Sequence, residues 1–277
     1  MSRSAILAMT AETPVHVGIG QAADAIDLPV AREAVTGFPH VPGSGVKGAW
    51  RVWYLARDEN SVPKMFGTAS GDATTDGASG TVLFSEARLA MLPVRCTTDS
   101  FKLATCPLTI NRLKRDRRRA GWTANWQVPD ISTGTYLGEV APGGSPLGLE
   151  EREFRHAREA ASDVVEAFQV LMAESAPNDF QSKFVILSDA DFKWYCQFGL
   201  PIAMRNALNE DKIVKTGALW AEETLAPDTV MWSTLSERTP GAVDAFLERV
   251  GAVTHVQMGG NETIGQGWFS VRGLQDG

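Results

Sequence analysis

A glycine- and serine-rich turn runs directly into a predicted helix between Pro39 and Gly48, where the sequence reads PHVPGSGVKG. The first N–H groups of a helix have no partner within it, and the helix dipole favours negative charge there. Because Lys47 adds a positive charge in the first turn, the segment is suited to binding phosphate. It lacks the G-x-x-x-x-G-K-[ST] spacing of nucleotide-binding loops, and an ordinary loop-to-helix transition explains the same residues equally well.

Two other glycine-rich segments would allow a ligand to approach the backbone closely. The first is HVGIGQ, from His16 onward, which leads to AIDLP with Asp27 at its centre. The second is GGNETIGQG at 259–267, between two predicted strands. No helix follows it, so it does not match the dinucleotide pattern. Taken alone, Asp27 is more typical of a turn or cap, and the second loop is equally explained as a tight β connection.

A basic run stands out in an otherwise acidic chain. The formal net charge is -7 and the pI is about 5.2, which argues against a generic polyanion binder and restricts any nucleic-acid surface to a local patch. Arginines neutralise phosphates, and the rings of Trp122 and Trp126 would stack on unpaired bases, whereas a solvated helix face is the other explanation. The basic residues of the run are Arg112, Lys114, Arg115, Arg117, Arg118 and Arg119.

The remaining reactive side chains form no recognisable catalytic set. Glu222 and Glu223 are neighbours on a predicted strand and should point to opposite faces, so we expect one to face a site and the other to be solvated. His255 lies in an apolar strand and is expected in the core. Neither a nucleophile elbow nor a carboxylate pair typical of glycosidases is present. The spacing of the cysteines fits neither a zinc site nor a disulfide framework; they are Cys96, Cys106 and Cys196.

The predicted elements interleave strands and helices, which indicates an α+β fold. With 277 residues and 44% hydrophobic content, the chain can bury a substantial core. We predict strands at 4–10, 81–91, 183–187, 253–257 and 268–271, and a hairpin formed by 202–208 and 215–223. We predict helices at 45–58 with Ser44 as N-cap, at 151–174, at 190–197 and at 239–250. Residues 68–80 are predicted to form a surface loop, and 95–146 an elaborated insertion.

No signal peptide or stretch of roughly 20 apolar residues is apparent, so a cytoplasmic protein without a membrane partner is expected.

Taken in order, these segments resemble one family. The series is HVGIG, AIDLP, FPHVPGSGVKGAWR, FG at 66–67, LFSEARLAMLPVR, ATCP, ALWAEETLAP and GGNETIGQGW. It resembles the backbone subunit of the type III-B (Cmr) CRISPR effector, a Cas7-like member of the RAMP superfamily. The matching blocks extend from about residue 4 to residue 271, so the resemblance covers nearly the whole chain.

The resemblance implies a fold and a role. The family fold is a ferredoxin-like (RRM-like) palm with inserted finger elements and a β-hairpin thumb. It implies one RNA-binding domain over 1–277, with insertions at about 14–42 and 95–146 and a candidate thumb at 200–224. Copies stack along a guide crRNA beside other Cmr subunits, and complementary target RNA is cut at regular intervals. The cut depends on a divalent metal, Mg²⁺ or Mn²⁺, and proceeds by attack of the RNA's own 2′-OH.

The resemblance also assigns roles to individual residues. Asp27 matches the family's catalytic aspartate, which would also contact the metal, and Lys47 matches its guide-contacting lysine. His16 and Glu223 lie in motifs that family members place near the cleavage loop. Position 45 is glycine where a second serine is common, which removes one hydroxyl contact to phosphate. The remaining predicted RNA contacts are Ser44, Arg51, Arg112, Lys114, Arg115, Gly265 and Gly267.

Two alternatives stay open. The subunit could assemble on guide RNA without cutting, in which case Asp27 is a structural loop residue. It could instead be a guide-processing RAMP endoribonuclease. Such enzymes usually use a histidine as general acid or base, and His16 is the candidate for that role here.

Overall fold

The computed structural model describes residues 3–21, 25–68, 78–172 and 175–274. The strands are β1 Ser4–Ala11, β2 His40–Val41, β3 Val82–Phe84, β4 Ala87–Arg95, β5 Phe101–Thr105, β6 Thr135–Leu137, β7 Leu147–Leu149, β8 Arg152–Arg158, β9 Phe184–Leu187, β10 Ile202–Leu208, β11 Val214–Glu223, β12 Val230–Glu237, β13 Thr254–Gln257 and β14 Trp268–Leu274. The helices are α1 Gly43–Leu55, α2 Val62–Phe66, α3 Pro107–Arg119, α4 Ser162–Met172, α5 Phe180–Lys183, α6 Asp189–Phe198 and α7 Ala242–Val250. Within the described ranges, no helix is both long enough and apolar enough to cross a membrane.

One large sheet organises the chain. Its strand order is β13-β14-β1-β12-β4-β5-β9-β6-β8-β7, with β2 added to β4 and β3 added to β12. Neighbouring strands are antiparallel except for the pairs β5–β9 and β6–β8. Strands β10 and β11 form a separate hairpin. The prediction of an α+β fold is confirmed at this level.

Strand β1 shows why helices cover both faces of the sheet. Its sequence SAILAMTA has almost no polar alternation, as expected for a strand buried on both sides. Leu7 and Met9 belong to one hydrophobic cluster, whereas Ile6 and Ala8 belong to another. Helices α1, α6 and α7 contribute buried residues to the first cluster, and helices α3 and α4 to the second.

The prediction of one long helix at 151–174 is wrong in its first half. Arg152–Arg158 form β8, and helix α4 begins only at Ser162. Phe154 fits the helical stripe by its spacing, but it is the buried residue of a strand whose neighbours are charged. It is held there by pairing with β6 and β7, which a local periodicity cannot reveal. The strand predicted at 81–91 is likewise divided into β3 and β4.

Helix α1 begins earlier than predicted. Pro42 is its cap residue and makes no side-chain cap, so the prediction that Ser44 caps the helix is wrong. Gly43 lies against the β3–β4 turn, where a Cβ would sit 3.2 Å from Glu86 N and 3.3 Å from Phe84 O. This close backbone approach favours glycine at the first position and leaves Ser44 exposed in the first turn.

The predicted loop at 68–80 lies largely outside the described residues.

A buried carboxylate fastens α3 to the sheet. Asp116 is 3% exposed, and its Oδ2 accepts hydrogen bonds from Arg88 Nη1 at 2.8 Å and Trp232 Nε1 at 2.9 Å. These partners lie on β4 and β12, so one side chain joins the helix to two neighbouring strands.

We therefore predict that Asp116→Ala destabilises the protein by about 3 kcal/mol, because it removes the buried acceptor of both the Arg88 guanidinium and the Trp232 indole N–H. Urea denaturation would measure the change in the free energy of unfolding. Arg115→Ala, at an exposed site on the same helix, is the control and should change stability by less than about 0.5 kcal/mol. Equal effects of the two substitutions would contradict the fastening role.

Candidate functional site

The β10–β11 hairpin stands apart from the sheet and presents an apolar face. Its register runs from Ile202 opposite Glu223 to Leu208 opposite Val214. Ile202, Met204 and Leu219 lie on one face and are each more than half exposed. The predicted hairpin is confirmed, with its second strand beginning at Val214. Apolar side chains of this size on an unpaired hairpin are an unusual exposure that favours contact with another molecule.

Asp27 lies against the base of this hairpin. Its Oδ2 accepts a hydrogen bond from Ala221 N at 2.7 Å. The backbone of Leu28 donates to Ala221 O at 3.0 Å and accepts from Glu223 N at 3.0 Å. One carboxylate oxygen is therefore held beside β11, while the residue itself stays exposed.

His16 lies behind the same base and is buried. Its Nδ1 is 2.8 Å from the carbonyl oxygen of Glu223. Because a carbonyl oxygen can only accept, this contact assigns the proton to Nδ1. The carbonyl of His16 accepts from Gly260 N at 2.8 Å, so the histidine links the end of β11 to the C-terminal glycine-rich loop.

Glu222 and Glu223 are both buried, at 3% and 2% exposure, so the expectation that one of them is solvated is wrong. The carboxylate of Glu223 accepts from Arg32 Nη2 at 2.5 Å and Val30 N at 3.0 Å. The carboxylate of Glu222 accepts from Asn261 Nδ2 at 2.6 Å. The two acids thus fasten the hairpin base to two different segments, in accord with their predicted opposite directions.

Some of the glycines at 259–267 are required by close packing within the chain, and others are not. Gly259 has φ +95°, and a Cβ there would lie 2.5 Å from the carbonyl oxygen of His16. Gly267 has φ +85°, and a Cβ would lie 2.4 Å from Met258 O. Gly265 also has a positive φ, but a Cβ there would meet nothing within 4 Å. Packing within the chain therefore accounts for Gly259 and Gly267, and RNA contact by Gly265 and Gly267 stays a prediction.

The start of α1 retains the features of an anion site. Its first intrahelical bond runs from Val46 N to Pro42 O at 3.0 Å, so the N–H groups before it lie outside the helical ladder. Ser44 and Lys47 are exposed there. Arg51 Nη1 donates to Gly67 O at 2.7 Å, which commits part of its guanidinium to the chain.

The basic run forms most of α3, and several of its side chains have partners within the chain. Arg112 Nη1 pairs with Glu33 Oε1 at 2.8 Å, and Lys114 Nζ donates to the Trp126 carbonyl. Trp126 is buried, so the prediction that its ring is a stacking surface is wrong. Arg115 is exposed. RNA contact by Arg112, Lys114 and Arg115 stays a prediction.

Other predicted roles can be placed directly. His255 is exposed on the edge strand β13, with Nε2 3.1 Å from Glu12 Oε1, so its assignment to the core is wrong. Burial raises the pKa of the Cys106 and Cys196 thiols well above the usual value, which argues against either of these two thiols as a nucleophile. Among the described residues, no three His, Cys, Asp or Glu side chains come together as a metal site.

A family model places the chain in its class. The RAMP superfamily model matches residues 8–270, and the chain belongs to this superfamily. The CRISPR system Cmr endoribonuclease Cmr4 of Pyrococcus furiosus is 30% identical over 274 residues, which cover 94% of this chain and 92% of that protein. The family predicted from the ordered sequence segments is confirmed.

Solved structures agree on the fold. Oligomeric Cmr4 from Pyrococcus furiosus superposes with a TM-score of 0.75 at 22% identity and covers 99% of both chains. A chain of the type III-B Cmr-beta assembly bound to cognate target RNA has a TM-score of 0.74 at 21% identity, covering 98% of this chain and 96% of that one.

The packing of the glycine-rich loop on His16 gives a matched test. We predict that Gly265→Ala costs about 1 kcal/mol, because of its positive φ alone. Gly259→Ala should cost at least about 2 kcal/mol more, because its Cβ would also overlap the His16 carbonyl. Urea denaturation of the two variants measures the difference, and equal losses would refute the close packing described here.

Proposed function

We propose that this chain is a repeated backbone subunit of a type III-B CRISPR effector, which binds guide crRNA and cuts complementary target RNA. The observation that carries the proposal is the exposed carboxylate of Asp27, hydrogen-bonded to the base of a protruding hairpin. Asp27 also stands in the AIDLP motif that matches the family's catalytic aspartate. The name of the Pyrococcus furiosus relative, an endoribonuclease of the Cmr system, supports the same activity.

The hairpin of 202–223 acts as the thumb in this proposal. Its exposed apolar face, formed by Ile202, Met204 and Leu219, is suited to packing against bases as it separates stacked nucleotides. Displacing a base costs a few kcal/mol and frees the adjacent backbone to rotate. The sugar-phosphate that becomes mobile then lies beside Asp27, because Asp27 is fixed at the hairpin base.

The palm is the large sheet, for which we propose the ferredoxin-like arrangement of the family. Guide RNA phosphates bind at the start of α1, where the exposed Lys47 and the first N–H groups supply positive potential. Arg115, exposed on α3, adds a further contact. The acidic net charge of the chain concentrates RNA binding on such local patches.

The proposed reaction uses a nucleophile that RNA itself carries. The 2′-oxygen attacks the adjacent phosphorus, its proton passes to a base, and the bond from phosphorus to the 5′-oxygen breaks. The departing 5′-oxygen takes up a proton from water. The products are a 2′,3′-cyclic phosphate and a 5′-hydroxyl. Asp27 would accept the 2′-OH proton or would hold a hydrated divalent ion, and the protein's main task is to hold the reacting atoms in line.

A divalent metal, Mg²⁺ or Mn²⁺, fits this site only together with the RNA. One exposed carboxylate is a weak site alone, and Mg²⁺ is commonly held by one or two carboxylates together with substrate phosphates. When bound, the ion would neutralise charge that develops on the phosphate.

Two of the structural relatives also support a proposal about how copies of this chain assemble. One is described as oligomeric and another belongs to an assembly bound to target RNA. We propose that copies of this chain stack along the guide with other Cmr subunits, so that cuts recur at the spacing of the stack.

We predict that Asp27→Asn abolishes target cleavage but leaves guide and target binding within about twofold, since it removes the charge and preserves the shape. The measurement is cleavage of labelled target RNA by the reconstituted complex with Mg²⁺ or Mn²⁺. Wild type should give evenly spaced products that the variant does not. Asp163→Asn, at an exposed carboxylate on α4, is the control and should cut normally. Tight binding without products from wild type would leave a non-catalytic RNA-binding backbone.

Lys47→Ala should weaken guide binding and lower the slope of log K against log salt concentration by about one unit, because one phosphate contact is lost. Fluorescence anisotropy with labelled guide RNA at several salt concentrations measures the slope. Lys193→Ala removes an exposed lysine from α6 and should leave the slope unchanged. An unaltered slope for Lys47→Ala would argue against a phosphate contact at the start of α1.

A further inference from the structure

A partly buried ion pair joins the segment that begins with Asp27 to the end of β11. Arg32 Nη2 lies 2.5 Å from Glu223 Oε1, and the Glu223 side chain is 2% exposed. The other carboxylate oxygen of Glu223, Oε2, accepts from Val30 N at 3.0 Å. Both oxygens of this acid are therefore occupied by partners from the same short segment, residues 27–32, which we call the strap.

The strap is fixed by these side chains and by backbone bonds on either side. Leu28 pairs with the backbone of β11, as described above, and Ala31 N donates to Val17 O at 2.7 Å. Between these two anchors, the N–H of Val30 is bound by the Glu223 carboxylate. Glu223 thus supplies the middle anchor of the segment that begins with Asp27.

Arg32 extends the connection into the body of the protein. Its Nη1 donates to the carbonyl of Cys196, in α6, and is 3.4 Å from Gly37 O. One guanidinium therefore joins α6, the turn before Phe38 and the acid at the hairpin base. Its flat, five-donor shape suits such simultaneous contacts better than a lysine ammonium.

A carboxylate in this setting is poorly suited to chemistry. To reach an RNA hydroxyl or a metal ion, Glu223 would have to leave both Arg32 and Val30 from a site closed to solvent. Its charge is already balanced, and an uncompensated buried charge is costly.

We infer that Glu223 and Arg32 are positioning residues: they hold the strap through Val30 and thereby fix Asp27, without taking part as acid, base or metal ligand. The inference rests on the proposed function, in which Asp27 carries the cleavage. A displacement of about 1 Å at a reacting group can lower the rate about 100-fold, so loss of the middle anchor should reduce cleavage far more than RNA binding.

The decisive comparison is Glu223→Gln against Glu223→Ala in the reconstituted complex. Glutamine keeps an oxygen for Val30 N but loses the charged contact to Arg32, so its single-turnover cleavage rate should fall about tenfold, the effect of one charge-assisted hydrogen bond. Alanine removes the anchor and should lower the rate about 100-fold, with target affinity unchanged. Equal inactivity of the two variants would mean that the carboxylate takes part in chemistry and would overturn the inference, as would a wild-type rate for alanine.

Arg32 is tested independently, which covers the case that Glu223→Ala does not fold. Arg32→Gln should also lower the cleavage rate about 100-fold without changing guide or target affinity. Arg32→Lys, which keeps the charge beside Glu223, should recover at least about tenfold of that loss. A wild-type rate for Arg32→Gln, or a parallel loss of RNA binding, would refute a positioning role.

Two further variants distinguish a failure of this inference from a failure of the proposed function. Arg3→Gln breaks the half-exposed Arg3–Asp244 ion pair and should cut at the wild-type rate. Asp27→Asn is measured in parallel. If Asp27→Asn cuts normally, the proposed function fails; if it is inactive while Glu223→Ala and Arg32→Gln cut normally, only the positioning inference fails.

Discussion

Backbone hydrogen bonding along the end of β11 and the residues just after it is the constraint on which the site depends. Ala221 and Glu223 bind the strap on one side, and Leu225 exchanges hydrogen bonds with Val15 at 3.0 and 2.8 Å. Segments far apart in the chain, around His16, Asp27 and 259–267, meet there. The two buried acids at 222 and 223 add side-chain anchors to this backbone frame. The end of β11 thus fixes the surroundings of Asp27.

The parts of the fold that local pattern specifies could be predicted from sequence. Strand β1, the hairpin and helix α6 were placed to within a few residues, because their signals lie in adjacent residues. The prediction of a helix at 151–174 was wrong in its first half, because Phe154 has helical spacing but is held in a strand by partners elsewhere in the chain. The partners of Asp116, on β4 and β12, were likewise invisible without the tertiary arrangement.

The site shows the same division. Asp27, Lys47 and the glycine-rich loop could be singled out by motif and by the resemblance they carry. The role of Arg32 gave no local signal, because its partners Glu223 and Cys196 lie more than 160 positions away. The basic run shows the same limit: residue type predicts charge, but only tertiary structure reveals that Arg112 and Lys114 have partners within the chain.

The separation of the β10–β11 hairpin from the main sheet makes it a lever. Its outer seven residues on β11 extend about 23 Å at roughly 3.3 Å per residue, so a tilt of about 10° at the base would move the tip by about 4 Å. The pivot of this lever is the same short stretch that binds the Asp27 carboxylate. A displacement of the hairpin tip is therefore transmitted to the Asp27 carboxylate through Ala221, so that the position of the tip and the alignment of Asp27 are mechanically linked.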